Sequence, residues 1–335
     1  MNDSSRPTPK GDESLLSASV VICAYTEERW EMLVDAVVSS LTQSHHPSQV
    51  ILVIDHNPSL YERCLASLED WKAIAQSEVL VLENRLRKGL GGARTTGTQA
   101  CTGQAVIFLD DDAVASPNWL EKLVMPFAQQ EVMMTSGWIV PKWVTSRPRW
   151  FPDEFLWVVG CSYEGLPESG AIIRNPIGAS MAIRKSVIDE VGMFESRLGR
   201  KSNDGNGCEE TEYAIRARQQ FPEMVVIHAA DSLVEHLVPA GRTELRYFFT
   251  RCWREGRSKA ILVDIAGRDD SLSAERNYLR STLPRGVAKG MRRLTTWGRS
   301  AAIIGGAFAT AAGYAVTRIR ISISGRFQPV VAISR

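Results

Sequence analysis

The sequence predicts an α/β fold with a mostly parallel central sheet, followed by a helical tail of different composition. Short β-branched runs alternate with stretches of helical period through the first part of the chain, three aspartates close the fourth such run, and the acidic residues stop at Glu275. Alternating strands and helices imply a parallel sheet, because each parallel connection needs a crossover that packs on a sheet face.

The first run, Ser19 to Tyr25 (SVVICAY), is short and β-branched and reads as a buried strand. Residues 27–41 then place Trp30, Leu33, Val34, Val37, Val38 and Leu41 at helical spacing, and Val50 to Asp55 (VILVID) makes a second buried strand. The alternation predicts a helix near 60–75, a strand at Val79 to Leu82, a helix opening at Gly89 to Gly92, a strand at Ala105 to Leu109 and a helix from about Pro117. Between Gly137 and Gly170 the order is hard to read, because Trp138, Trp143, Trp150, Phe151, Phe155 and Trp157 crowd among prolines. A second set follows: a strand around Gly178 to Ile183, a helix near 209–219, strands around Val225 to Ile227 and Leu233 to Glu235, and a helix from Thr243.

A chain of 335 residues can bury a sizeable core. The polar stretch 1–18 lacks the apolar segment of a signal peptide and is expected to be disordered, with the body, 19–265, in the cytoplasm. Six scattered cysteines without a CxxC pair are expected to be reduced thiols. The overall charge of +1 hides an asymmetry: 28 basic residues face all 38 acids up to Glu275, and the sixty residues beyond carry eleven basic residues and no acid. Such a tail, 266–335, suits an anionic surface, and lipid headgroups are expected rather than nucleic acid. Its basic segment, Pro284 to Ser300, precedes the uncharged, Ala/Gly/Ile-rich Ala301 to Val316. That stretch falls short of the ~20 apolar residues a spanning helix needs, so it is expected to lie in the membrane interface, with packing on the protein's own core as the alternative.

Asp110, Asp111 and Asp112 stand at the carboxyl end of a parallel strand, where open α/β sheets place ligands. Adjacent carboxylates repel unless a cation neutralises them, and oxygen ligands suit Mg2+ or Mn2+. Residues two apart in an extended segment face the same way, so Asp110 and Asp112 can share one site. An acidic turn capping the next helix is the plain alternative.

At this point the sequence resembles the family 2 glycosyltransferases, which have a GT-A fold, from about Ser19 to Lys259. Residues 20–27 (VVICAYTE) are similar to the family's opening strand and nucleoside-binding turn, which implies that Ala24, Tyr25 and Glu27 line the base site. By the same resemblance Asp55 contacts the base, and Asn84, with Gly89 to Gly97 and its Arg94, lies beside the donor. The segment Phe108 to Ala113 (FLDDDA) matches the family's DxD-type motif, giving Asp110 and Asp111 to the nucleotide sugar and Asp112 to the metal. Residues 175–184 resemble the segment under the donor sugar and acceptor, which brings in Gly178 and Ala179. Residues 208–216 (CEETEYAIR) resemble the family's Glu-Asp motif, with Glu210 as base or Glu209 in its place. His236 lies where many members carry a metal-binding histidine, and Arg242 and Arg257 fall in motifs after it.

The residue chemistry agrees. Glycines at a helix start let backbone N–H groups approach a diphosphate, and Arg94 adds charge. Inverting transfer needs a base for the acceptor hydroxyl and a Lewis acid for the leaving diphosphate. Glu210 is expected to feel like-charge repulsion from Glu209 and Glu212. Trp157 and its aromatic neighbours serve packing or offer flat faces to a sugar or isoprenoid-like acceptor. The resulting expectation is metal-dependent, inverting transfer from a nucleotide sugar, UDP-linked by resemblance, to a hydroxyl acceptor that can be lipid-linked, in polysaccharide or glycolipid synthesis at the inner membrane face. A nucleotidyltransferase and a non-catalytic nucleotide-sugar-binding protein are the alternatives.

Overall fold

The structure is a computed structural model that describes residues 15–194, 208–267, 275 and 277–324. Residues 1–14 of the expected disordered stretch, and 268–274, 276 and 325–335 of the expected tail, lie outside the described residues.

Strands β1 (Ala18–Ala24), β2 (Gln49–Ile54), β3 (Glu78–Glu83) and β4 (Ala105–Asp110) pair in parallel in the order β3-β2-β1-β4, as the apolar runs require. β2 is buried at every position, the mark of a strand covered on both faces. Helices α1 (Trp30–Leu41) and α4 (Leu90–Ala100) supply the covering layers. Gly97 sits in α4 where a Cβ would strike Val21, which lets the helix close on β1. Between β2 and β3 stand two helices rather than one, α2 (Pro58–Ala66) and α3 (Leu68–Ile74), divided at Ser67. Asn57 caps α2 by accepting the Leu60 N–H at 3.1 Å, with Pro58 at the first helical position.

Beyond β4 the sheet becomes mixed. β5 (Ala113–Ala115) is short, α5 (Trp119–Val124) follows, and β6 (Val132–Trp143) runs through the aromatic stretch that the sequence left unordered. β7 (Ile172–Ile173) is an edge pair, and β8 (Ser180–Arg184) runs antiparallel between β4 and β6. α6 (Lys185–Val191) and α7 (Glu209–Gln220) lead to β9 (Val225–Val238). This single strand replaces the two expected ones: it pairs with β6 along its whole length, and its register slips between Ala229 and Leu233.

α8 (Leu245–Ala266), α9 (Leu283–Met291) and α10 (Trp297–Ser324) complete the described chain. α10 runs past the uncharged stretch through Arg318 and Arg320, since arginine is a good helix former. The aromatic stretch reaches the core through its phenylalanines: Phe151 and Phe155 are fully buried and meet Phe248 of α8 at 5.4 Å between ring centroids, while the four tryptophans are half-buried.

Candidate active site

The carboxyl ends of β1, β2 and β4 converge on the expected residues. Tyr25 follows β1 and is 52 % exposed, with the Arg29 guanidinium 5.5 Å from the centre of its ring. Ala24 accepts the Asp55 N–H at 2.7 Å, and half-buried Glu27 opens the turn into α1. Asp55 is buried and accepts from the Asn84 side chain at 2.6 Å and from the Gly89 N–H at 2.9 Å. Gly89 has φ 127°, a conformation that favours glycine, and it starts α4. Asp55 and Asn84 thus build the loop that carries the glycines.

The aspartates gather around His236 by register. β5 begins at Ala113, directly after the cluster, and pairs Ala113 with His236 of β9, while the Leu237 N–H donates to the Asp112 carbonyl at 2.9 Å. His236 Nε2 therefore reaches Asp112 Oδ1 at 3.1 Å. On the ring's other side stand Gly160 and Cys161, whose Sγ is 3.9 Å from Nδ1. Ligand atoms of Asp110, Asp112 and His236 lie within 4.8 Å of one another.

Two cations close the cluster. Arg29 Nη1 lies 3.1 Å from both Asp111 and Asp112, and Arg242 approaches Asp112 at 3.7 Å. Burial alone would raise the Asp112 carboxyl, but His236, Arg29 and Arg242 together hold it well below the usual carboxylate range. Asp111 shifts the other way: burial, then repulsion from Asp112, pushes it up despite Arg29. One buried oxygen of Asp111 has no hydrogen-bond partner among the described residues. An O,O,N donor set beside an unsatisfied carboxylate oxygen fits a divalent ion such as Mn2+.

Arg94 is the second centre. It is buried, and it donates to Glu209 at 2.6 Å, to Glu210 at 3.2 Å and to the Gly178 carbonyl at 3.1 Å, with Asp110 at 3.8 Å. Burial opposes its charge, but Glu209 and Glu210 more than offset that and keep it protonated. Instead of facing only like charges, Glu210 shares this cation with Glu209, while Glu212 pairs with Arg216 at 2.8 Å. Gly178 has no room for a Cβ, which would strike the Glu210 carboxylate.

A cavity of about 1120 Å³ opens from Asp110, Arg94, Glu209 and Glu210 past Gly178, Ala179 and Trp157. Trp157 donates through Nε1 to the Tyr278 hydroxyl at 3.1 Å. Farther along, Glu275 takes Arg174 and Lys259 at 2.6 Å each. Burial would raise Glu275, yet these two cations lower it to about 2. Arg257 is not among the lining residues; Lys259 is.

The structure thus brings Asp110, Arg94, Glu209, Glu210, Trp157, Gly178 and Ala179 to one cavity, with Asp112 and His236 at its border through Gly160. Tyr25, Glu27, Asp55, Asn84 and Gly89 stand at the ends of β1 and β2 and in the loop before α4, outside the cavity lining. Sequence reasoning missed Arg29, Cys161, Arg174 and Glu275. Arg29 alone had a signal, its place just after the turn that follows β1.

A mostly parallel α/β body with an acidic cluster able to hold a metal at the carboxyl edge, and the Glu210 carboxylate beside it on the shared Arg94, is the arrangement of a GT-A-type glycosyltransferase. The chain belongs to glycosyl transferase family 2, whose model matches residues 19–192. It is 32 % identical over 248 residues to a glucosyl-dolichyl phosphate glucuronosyltransferase of Haloferax volcanii, covering 74 % of this chain and 77 % of that one. Solved structures share its fold, among them two that hold Mn2+. One is GalNAc-T7 with UDP, GalNAc and Mn2+ (TM-score 0.54, 19 % identity, 80 % of this chain and 55 % of that chain). The other is the mannosyltransferase PcManGT of Pyrobaculum calidifontis with GDP-Man and Mn2+ (TM-score 0.54, 16 % identity, 89 % and 88 %).

Proposed function

We propose that this enzyme transfers a glycosyl group with inversion from a nucleoside-diphosphate sugar to the hydroxyl of a lipid-linked acceptor. The observation that carries the reading is the cavity joining Asp110 and the Arg94–Glu210 pair to an aromatic wall and the C-terminal helices. The Haloferax volcanii relative, named for a glucosyl-dolichyl phosphate acceptor, supports the lipid-linked class.

Tyr25 offers a ring face to the base, and the N–H groups opening α4 face the donor side. Asp110, Asp112 and His236 would hold the divalent ion, which supplies positive charge to the departing diphosphate. Glu210, one-fifth exposed at the cavity, accepts the acceptor hydroxyl proton. The freed oxygen forms its bond to the anomeric carbon as the carbon–oxygen bond to the diphosphate breaks, and that electron pair leaves with the nucleotide. Arg94, anchored by Glu209 and the Gly178 carbonyl, fixes Glu210 in the wall. Deprotonation from the face opposite the diphosphate gives inversion.

A thermal-shift screen of UDP-, GDP- and dTDP-sugars with Mn2+ and Mg2+ identifies the donor, because a bound ligand raises stability by mass action. Product analysis with labelled donor and polyprenyl-phosphate-linked sugars then tests transfer. Stabilisation by one donor followed by label in an organic-extractable product is expected. Stabilisation by none of them, or a product that retains the donor's anomeric configuration, contradicts the proposal.

A further inference from the structure

α10 has two different faces. One is locked to α8: a Cβ on Gly313 would strike the Trp253 carbonyl, and one on Gly256 of α8 would strike the Thr310 carbonyl. The other carries Ile304, Phe308, Ala311, Ala315, Ile319 and Ile323, which recur every three or four residues and are all exposed. Phe308 is 75 % and Ile323 80 % exposed, which a water-facing helix does not favour. The apolar surface continues before α10 in exposed Met291, Leu294 and Trp297, and exposed Arg285, Lys289, Arg292 and Arg293 stand around it.

The cavity reaches the same surface. Ala307, Thr310, Ala311 and Tyr314 of α10 line it together with Leu279. Ala311 belongs to both the stripe and the lining, and Leu279 is 55 % exposed, so these two residues rim an opening at the edge of the stripe.

We infer that α10, with the turn before it, docks on an anionic lipid bilayer, lying in the headgroup plane with its stripe at the acyl boundary and the cavity rim at the bilayer surface. The position of the rim gives this docking its use under the lipid-linked acceptor reading; the docking itself rests on the stripe and its charges. Length and hydropathy alone would let Leu294–Ile323 span a membrane. Spanning is unfavourable, because the locked face would carry α8, with Glu255, Lys259 and Asp264, into hydrocarbon. Lying flat instead keeps α8 in water and brings the cations to the headgroups. The acid-free, eleven-cation segment after Glu275 matches an anionic lipid surface, each cation near it strengthening binding about fivefold.

The test is flotation of the full chain with vesicles of phosphatidylcholine alone and of phosphatidylcholine with phosphatidylglycerol. The chain is expected to float with the anionic vesicles. Ile304→Ser with Phe308→Ser lowers partitioning by roughly tenfold or more, and Arg292→Gln with Arg293→Gln lowers it by at least about tenfold on anionic vesicles only. The native thiols are buried or half-buried, so Phe308→Cys, Ala315→Cys, Ile319→Cys and Leu279→Cys can each carry a nitroxide. All four labels are expected at one shallow depth, whereas a spanning helix spreads positions 308 and 319 over about 16 Å. A chain that stays with the soluble fraction, a serine variant that binds as tightly as wild type, or depth rising steadily along α10 overturns the inference. Nucleotide stabilisation in the thermal-shift screen is expected to be unchanged in the serine and glutamine variants. Its absence from wild type would contradict the proposed function and leave the docking result standing.

Discussion

At Asp112, Arg29, His236 and Arg242 close to 3.1, 3.1 and 3.7 Å and the carboxylate is almost entirely buried; along α10, Phe308 and Ile323 are three-quarters exposed or more. Each region reverses the usual distribution of polar and apolar groups. Buried charge is unfavourable unless it is compensated, and an exposed apolar stripe is unfavourable unless something covers it. In the first case the compensation lies inside the molecule, in two arginines, a histidine and a metal-compatible donor set. In the second the inferred bilayer would supply it. The cavity between them joins a polar end at Glu210 to an apolar rim at Ala311, the arrangement an amphiphilic acceptor needs.

The contrast can be broken at the polar end with the largest effects. Asp112→Asn removes one carboxylate oxygen from the cluster and leaves Arg242 and Arg29 short of a partner; transfer is expected to fall about a thousandfold or more, measured as initial rate against Mn2+ concentration. Glu210→Gln is expected to lower kcat about a hundredfold or more while leaving nucleotide stabilisation intact. The companion Glu209→Gln, whose carboxylate accepts from Arg94 at 2.6 Å, is expected to lose stability along with activity. Arg94→Met leaves Glu209 and Glu210 without their shared cation, and chemical denaturation is expected to show a loss of about 3 kcal/mol.

Glu275 sharpens the comparison at the middle of the cavity. Its carboxyl lies at about 2 in the folded protein, below its ordinary 4.5, so its pairing with Lys259 and Arg174 is present above about 4.5 and disappears as pH falls toward 2. Glu275→Gln is expected to lower stability by roughly 2 kcal/mol at neutral pH, with the gap to wild type narrowing through that acid window in denaturation measured against pH. The smallest effect belongs to the stripe. Ile319→Ser and Ile323→Ser are expected to change stability by no more than about 0.5 kcal/mol in water, since neither side chain is buried in the protein.

The parallel half of the fold was legible because fully buried strands read as uninterrupted β-branched runs, and the aspartates, which alone read equally well as an acidic turn, were legible through their place at a strand end and in the order of the family's motifs. β6 was not, because its twelve residues include Pro141 and two tryptophans and pass from full burial at Val132 to partly exposed positions from Val140 on. β9 looked like two strands because residues 230–232 interrupt the apolar run as a bulge without β6 partners, and pairing resumes at Leu233. Within the site, His236 was placed by motif order, and the register of β5 on β9 supplies the physical reason it reaches Asp112. Arg29 could not be placed, since its meeting with Asp111 and Asp112 spans more than eighty residues and depends on how α1 leaves β1. The expected tail was legible as basic and apolar. Its packing was not, because the glycines that lock α10 to α8 have the same composition as a free interfacial helix.

The central claim, that Asp112 and His236 hold a divalent ion that serves a nucleotide donor, is tested most directly by the free-Mn2+ paramagnetic resonance signal during titration of the full chain, with and without UDP or GDP. Wild type is expected to take up one ion per chain, more tightly in the presence of the nucleotide it recognises, and both Asp112→Asn and His236→Ala are expected to lose that uptake. Equal uptake by wild type and both variants would contradict the account.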